Sequence, residues 1–131
     1  MRMSGKYLLD SNIIIDIFRG QSGTINKIKE IEIIYIPVIV LGELYYGANK
    51  SNQTLKRILE VEELEKKVII LDITKSTAKI YGEIKDQLRS KGKLIPENDI
   101  WIAAIAKEHG LPLLTRDGHF KKVDGITIEM I

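Results

Sequence analysis

The stretch "KYLLDSNIIIDIFRG" (residues 6–20) breaks a run of aliphatic residues with an aspartate just where one kind of structure should give way to another. Tyr7 to Leu9 reads as a short buried strand, and "DSN" (residues 10–12) as a helix start. The spacing predicts a helix from about Asn12 to Arg19, closed by Gly20. Asp10 therefore stands where a strand hands over to a helix. It can cap that helix, or it can form one wall of a metal site.

The same alternation continues along the chain. A helix is expected over Thr24 to Ile31, with Ile25, Ile28 and Ile31 on one face. "EIIYIP" (32–37) is a strand, after which Pro37 opens the very apolar helix "VIVLGELYYGA" (38–48). "SNQTLKRILEVEELEKK" (51–67) reads as an amphipathic surface helix spaced by Leu55, Ile58, Leu59 and Glu62. "VIILD" (68–72) is a third strand. A long helix from about Ser76 to Lys91, with Ala78, Tyr81, Ile84 and Leu88 on its apolar face, ends at Gly92. "PENDIWIAAIAKEHG" (96–110) has Pro and acids in front, Lys and His in its last turn and a Gly stop. "LPLLT" (111–115) and "ITIEM" (126–130) supply two more strands. Strands alternating with helices imply right-handed crossovers, hence an α/β fold of three layers (α/β/α) around a mostly parallel sheet of about five strands. Ligands of such sheets bind at the carboxyl ends of strands, where Asp10 falls and where Asp117 falls after "LPLLTR".

The 131 residues suit one domain, 1–131, with 44% hydrophobic and 29% charged residues and no low-complexity tract. The longest apolar run, "IIYIPVIVLG", is about half of what a membrane span needs. Arg2 and Lys6 precede an apolar stretch that Asp10 breaks, with no small-residue cleavage site behind it, so a cytoplasmic location is expected. The absence of cysteine excludes disulfides, thiolate nucleophiles and cysteine-held metals, and His109 and His119 are too few for most zinc sites. A metal here has to be held by oxygen, which points to magnesium or manganese. Net charge is only +2, yet Lys75, Lys79, Lys85, Arg89, Lys91 and Lys93 share one segment, and Arg116, Lys121 and Lys122 flank an acid. Such groups either hold a polyanion such as nucleic acid or line a solvated face, and the solvated face is the simpler reading.

Four acids keep unusual company. Glu43 is the only charged residue between Pro37 and Lys50, and a buried carboxylate needs partners or a proton. Asp99 leads "DIWIAAIA", a helix apolar on both faces; Asp10 and Asp117 follow strands. Each of these three aspartates can also be a cap or a turn residue. If the four converge, two carboxylates about 4 Å apart repel by about 4 kcal/mol at an effective dielectric of about 20, which a hard divalent cation removes. A metal so held activates water and stabilises charge developing on a phosphodiester. Ser11 and Thr115 stand beside the acids, where each can bind a metal-bound water or a phosphate, though plain capping is the simpler reading, and Asn12 can orient Asp10 through its amide or cap the helix. Glu97 reads as an ordinary first-turn acid, Asp16 as solvated, His119 as a weak addition to the site, and Trp101 and the tyrosines as core.

"YLLDSNIIIDIFRG", "IPVIVLGELYYGA" and "PENDIWIAAIAKEHGLPLLTRDGHF" together resemble the PIN-domain family, and within it the VapC-type toxins, in order and over essentially the whole chain. The resemblance implies that the family's four acids are Asp10, Glu43, Asp99 and Asp117, and that its hydroxyl and amide after the first acid are Ser11 and Asn12. It further implies a Mg2+- or Mn2+-dependent endoribonuclease that cuts RNA, often tRNA or rRNA. The expected assembly is a homodimer inhibited by a small VapB-like antitoxin whose tail enters the acidic pocket. Arg116, Lys121 and Lys122 are the expected RNA contacts. The alternatives are a PIN nuclease of RNA processing, using the same site, or a non-catalytic RNA- or protein-binding module. Phosphoaspartyl folds fit poorly, because "LLDSN" lacks their second acid.

Overall fold

The computed structural model describes residues 5–131; Arg2, and with it the start of the expected domain, lies outside them. Five strands form: β1 (Lys6–Leu9), β2 (Ile33–Pro37), β3 (Ile69–Leu71), β4 (Leu113–Thr115) and β5 (Ile128–Met130). Successive residues of a strand face opposite sides of the sheet. Tyr7, Leu8 and Leu9 in β1 and all of β4 are buried, so helices must cover the central strands on both faces. Those helices are α1 (Ser11–Phe18), α2 (Ser22–Ile28), α3 (Val38–Lys50), α4 (Thr54–Glu65), α5 (Lys75–Ser90) and α6 (Glu97–His109). The result is the three-layer α/β/α architecture, with every strand pair parallel.

The strand order is β3-β2-β1-β4-β5. The chain builds outward from β1 through β2 to β3, then crosses back and lays β4 against the other side of β1. This reversal leaves a crevice between β1 and β4 at their carboxyl ends, where open parallel sheets bind ligands. The register pairs Leu8 with Leu113 and Leu9 with Leu114, and the ladder continues through Asp10 N–H to Leu114 C=O at 3.0 Å. Asp10 and Thr115 therefore leave the sheet side by side.

Helix boundaries follow from local chemistry. Pro37 ends β2 and stands at the N-cap position of α3, where its ring fixes φ at −63° and its missing N–H costs the helix no hydrogen bond. Gly110 closes α6 at φ 62°, the left-handed conformation that suits glycine. Ile100 and the run from Ile102 to Ala106 are buried, so α6 is enclosed on nearly all sides. Trp101 is half-buried rather than core, and its ring stacks on that of Tyr81 at 3.9 Å.

The expected face of α4 is wrong, and that of α5 holds at Tyr81, Ile84 and Leu88 but not at Ala78. On α4, Leu55 and Leu59 are 80% and 60% exposed, and Val61 with the half-buried Leu64 faces the core. Both stripes keep helical spacing through Ile58, and α3 packs on the second. On α5, Ala78 is exposed and Thr77 is buried in its place, donating its hydroxyl to Glu108 Oε1 at 2.5 Å. The helix expected to reach Ile31 stops at Ile28. A 3₁₀ helix, Gly118–Lys122, had no counterpart in the sequence reading.

Candidate active site

Each acid comes from the carboxyl edge of the sheet or a helix beside it. Asp10 is the N-cap of α1: Oδ1 accepts from Ser11 N–H at 2.8 Å, and Oδ2 accepts the Thr115 hydroxyl at 2.7 Å. Asn12 reaches the same oxygen at 3.4 Å. Thr115 is fully buried, and its Oγ1 also accepts the Asp117 N–H at 2.9 Å, so one hydroxyl ties the acids of β1 and β4 together. Asp117 caps the 3₁₀ helix by accepting from His119 N–H at 2.9 Å, and Phe120, fully buried, anchors that turn.

Asp99 lies in the first turn of α6, yet that helix has no side-chain cap; the carboxylate turns instead toward His119, Oδ2 to Nδ1 at 3.3 Å. The same Nδ1 lies 3.0 Å from Asp117 Oδ1. Ligand atoms of Asp99, Asp117 and His119 all stand within 4.8 Å of one another. Glu43 arrives from α3, and its Oε1 is the buried side-chain oxygen that has no hydrogen-bond partner among the described residues.

The charges feel one another. Burial pushes the Asp10 carboxyl above its ordinary value; the Thr115 and Ser11 hydrogen bonds pull it back, and Asp117 pushes it up again. Burial likewise raises Glu43, followed by Asp10; Asn98 offsets part of this, Asp99 adds to it and Ser11 opposes it. Asp99 is raised by burial, lowered by His119, and raised by Asp10 and Asp117. Three carboxyls held above their usual range in one crevice want protons or a cation. Four carboxylates with one unsatisfied buried oxygen fit a hard divalent ion, whose ligands are oxygens.

Other expected residues are placed differently. Glu97 pairs with Lys85 at 3.1 Å, away from the cluster. Arg89 pairs with Asp86 and Lys91 with Asp124, so with Lys85 three of the six basic residues of the segment from Lys75 to Lys93 are engaged in ion pairs. Lys121 and Lys122 are exposed beside Asp117. Arg116 is ion-paired with Asp16, which is buried rather than solvated and also accepts from Thr24. Asn98, which bonds Glu43, carries no signal of its own in the sequence, and His119, which faces Asp99, carries only a weak one. Both sit next to acids that were recognised, and that adjacency was their one visible signal.

Replacing Thr115 with valine keeps the volume but leaves the Asp117 N–H and one lone pair of Asp10 without their partner. The expected loss is about 1–3 kcal/mol of stability in chelator, read from urea denaturation. A loss below about 0.5 kcal/mol would show that this hydroxyl holds neither acid.

A PIN-domain family model matches residues 7–126, and the chain belongs to that family. It is 35% identical to the ribonuclease VapC2 of Haemophilus influenzae, across 95% of this chain and 96% of that one. It is 27% identical to the tRNA(fMet)-specific endonuclease VapC of Shigella flexneri, at the same coverages. Its fold superposes with a TM-score of 0.88 on a crystal structure of VapBC2 from Rickettsia felis bound to a promoter DNA fragment, at 27% identity over 96% of this chain and 98% of that one.

Proposed function

We propose that this protein is a metal-dependent endoribonuclease that hydrolyses RNA phosphodiester bonds, the toxin member of a toxin–antitoxin pair. The observation that carries the reading is the convergence of Asp10, Glu43, Asp99 and Asp117 at the switch point of the sheet, with Glu43 Oε1 buried and unsatisfied. The similarity to ribonucleases of the VapC group supports it.

The four acids would hold Mg2+ or Mn2+. The ion supplies a water of lowered pKa and a positive charge against the phosphodiester. Thr115 and Ser11 fix both oxygens of Asp10, so its orientation is set before substrate arrives. Preorganised ligands of this kind need no rearrangement during reaction. Lys121 and Lys122 stand ready for RNA phosphates, and such contacts weaken with salt. A groove of about 1080 Å³ runs from the apolar side chains of Phe18, Ile39 and Tyr46 to Ser11, Glu43 and Asn98. It suits the tail of an antitoxin that ends in the acidic pocket; the VapBC complexes among its structural relatives support that partner.

The test is incubation of the purified chain with total tRNA and rRNA in magnesium, manganese or chelator. Discrete RNA fragments are expected with either metal and none in chelator. Cleavage that persists in chelator, or binding without cleavage in metal, would replace this reading by a metal-independent nuclease or a binding module.

A further inference from the structure

Asp16 is a buried carboxylate that the site above leaves unused. It lies on α1 one turn after Asn12, 7% exposed, where a charge requires partners. Those partners come from two other places: Thr24 Oγ1 on α2 donates to Oδ2 at 2.7 Å, and the Arg116 guanidinium pairs with the same oxygen. Arg116 stands between Thr115 and Asp117, and its backbone N–H donates to Asn12 Oδ1 at 3.3 Å. Residues four apart on a helix share a face. One face of α1 therefore grips Arg116 by main chain and by side chain.

We infer that the Asp16–Arg116 pair is a clamp that positions residues 115–119, and thereby sets how tightly the carboxylate cluster takes a divalent cation. The inference rests on the metal-site reading above. The segment needs a tie from outside itself. β4 is only three residues long, and beyond it the N–H groups of Asp117 and His119 bond to Thr115 and Asp117 side chains within the same segment. Phe120 and the His119–Asp99 contact hold the far end, and Thr115 is tied to Asp10 at the near end; between them, Asp16 and Asn12 hold Arg116 itself. A guanidinium so engaged is a positioning group and is not offered to RNA. The two roles predict opposite behaviour. If Arg116 bound phosphate, removing the Asp16 charge would free it and tighten RNA binding; if it is a clamp, loss of either partner does the same damage.

The experiment compares wild type with D16N, R116M, R116K and the D16N/R116M double variant. The D16N amide keeps an acceptor for Thr24, and R116K keeps the charge. Amide hydrogen exchange in chelator reads the segment, Mn2+ titration followed by electron paramagnetic resonance reads the site, and a labelled mixed-sequence RNA oligonucleotide reads binding. Expected are faster exchange confined to residues 115–119, Mn2+ affinity lowered about 10-fold in each single variant, a double variant no worse than the poorer single, and partial recovery in R116K. Unchanged exchange, or faster exchange with unchanged Mn2+ affinity, overturns the clamp. So does RNA affinity that rises in D16N and falls in R116M. A wild type that binds no Mn2+ sinks the metal-site reading and the clamp with it, whereas wild-type binding matched by every variant sinks the clamp alone.

Discussion

Asp99→Asn lowers the rate of RNA cleavage at saturating magnesium by about 10³-fold or more, about 4 kcal/mol of activation free energy, while the protein stays folded. The side chain is half-buried and does not cap α6, so an amide of the same shape disturbs no backbone hydrogen bond of that helix. Its charge is opposed by burial, Asp10 and Asp117, with His119 the favourable neighbour, so removing the charge does not weaken the metal-free fold. What disappears is a charged oxygen facing the point where a cation would sit. Thr115→Val only misorients Asp10 and so acts less on rate than on stability. Single-turnover cleavage with protein in excess, repeated over a series of metal concentrations, separates lost affinity from lost chemistry. A fall of less than tenfold would place Asp99 outside the metal site, as a simple partner of His119.

These acids were legible because each one interrupts an apolar run. Glu43 alone among the residues of α3 before Lys50 carries charge, and Asp99 leads the most enclosed helix of the chain. Gly110, Pro37 and the periodic runs mark the elements, and right-handed crossovers imply the mostly parallel sheet, but the strand order is not legible in the sequence. What failed to show is tertiary. Asp16 looked solvated because its partners, Thr24 on α2 and Arg116 after β4, lie outside its own helix. The amphipathic spacing Leu55, Ile58, Leu59 does not say which stripe of α4 turns inward, because both stripes share Ile58 and contact with α3 chooses between them. His119 reached the cluster through a 3₁₀ turn set by the Asp117 cap and the buried Phe120, and no periodicity announces a single turn. Thr115 stands out in the sequence as a neighbour of the acids; that its hydroxyl donates to Asp10 follows from the parallel pairing of β4 with β1, which adjacency alone does not show.

Glu43→Gln melts higher than wild type in chelator at pH 7.5, and manganese raises the wild type far more than the variant. Burial, then Asp10, hold the Glu43 carboxyl above its unperturbed value of 4.5, with Asn98 offsetting part of the rise. A carboxyl whose folded pKa exceeds its unfolded one binds protons better when folded. Its contribution to stability is full below the unfolded value and lost as pH rises through the raised folded value. Asp10 and Asp99 are shifted in the same direction, so the contribution of these three carboxyls to metal-free stability falls as pH rises above the ordinary carboxylate range. A glutamine has no proton to lose, and the advantage of the variant therefore shrinks as pH falls to about 4, near the unperturbed carboxylate values. Manganese at about 100 times its dissociation constant adds about 2.7 kcal/mol to the wild type, a rise on the order of 10 °C for a domain of this size. The buried Oε1, with no partner of its own, is where that gain should be felt most. Thermal melts of both proteins at pH 4, 6 and 7.5, with chelator and with manganese, decide it. A variant that melts lower than wild type at pH 7.5 in chelator, with equal manganese shifts in both, would make Glu43 a structural partner of Asn98 and Ser11, and its unsatisfied oxygen would then need another explanation.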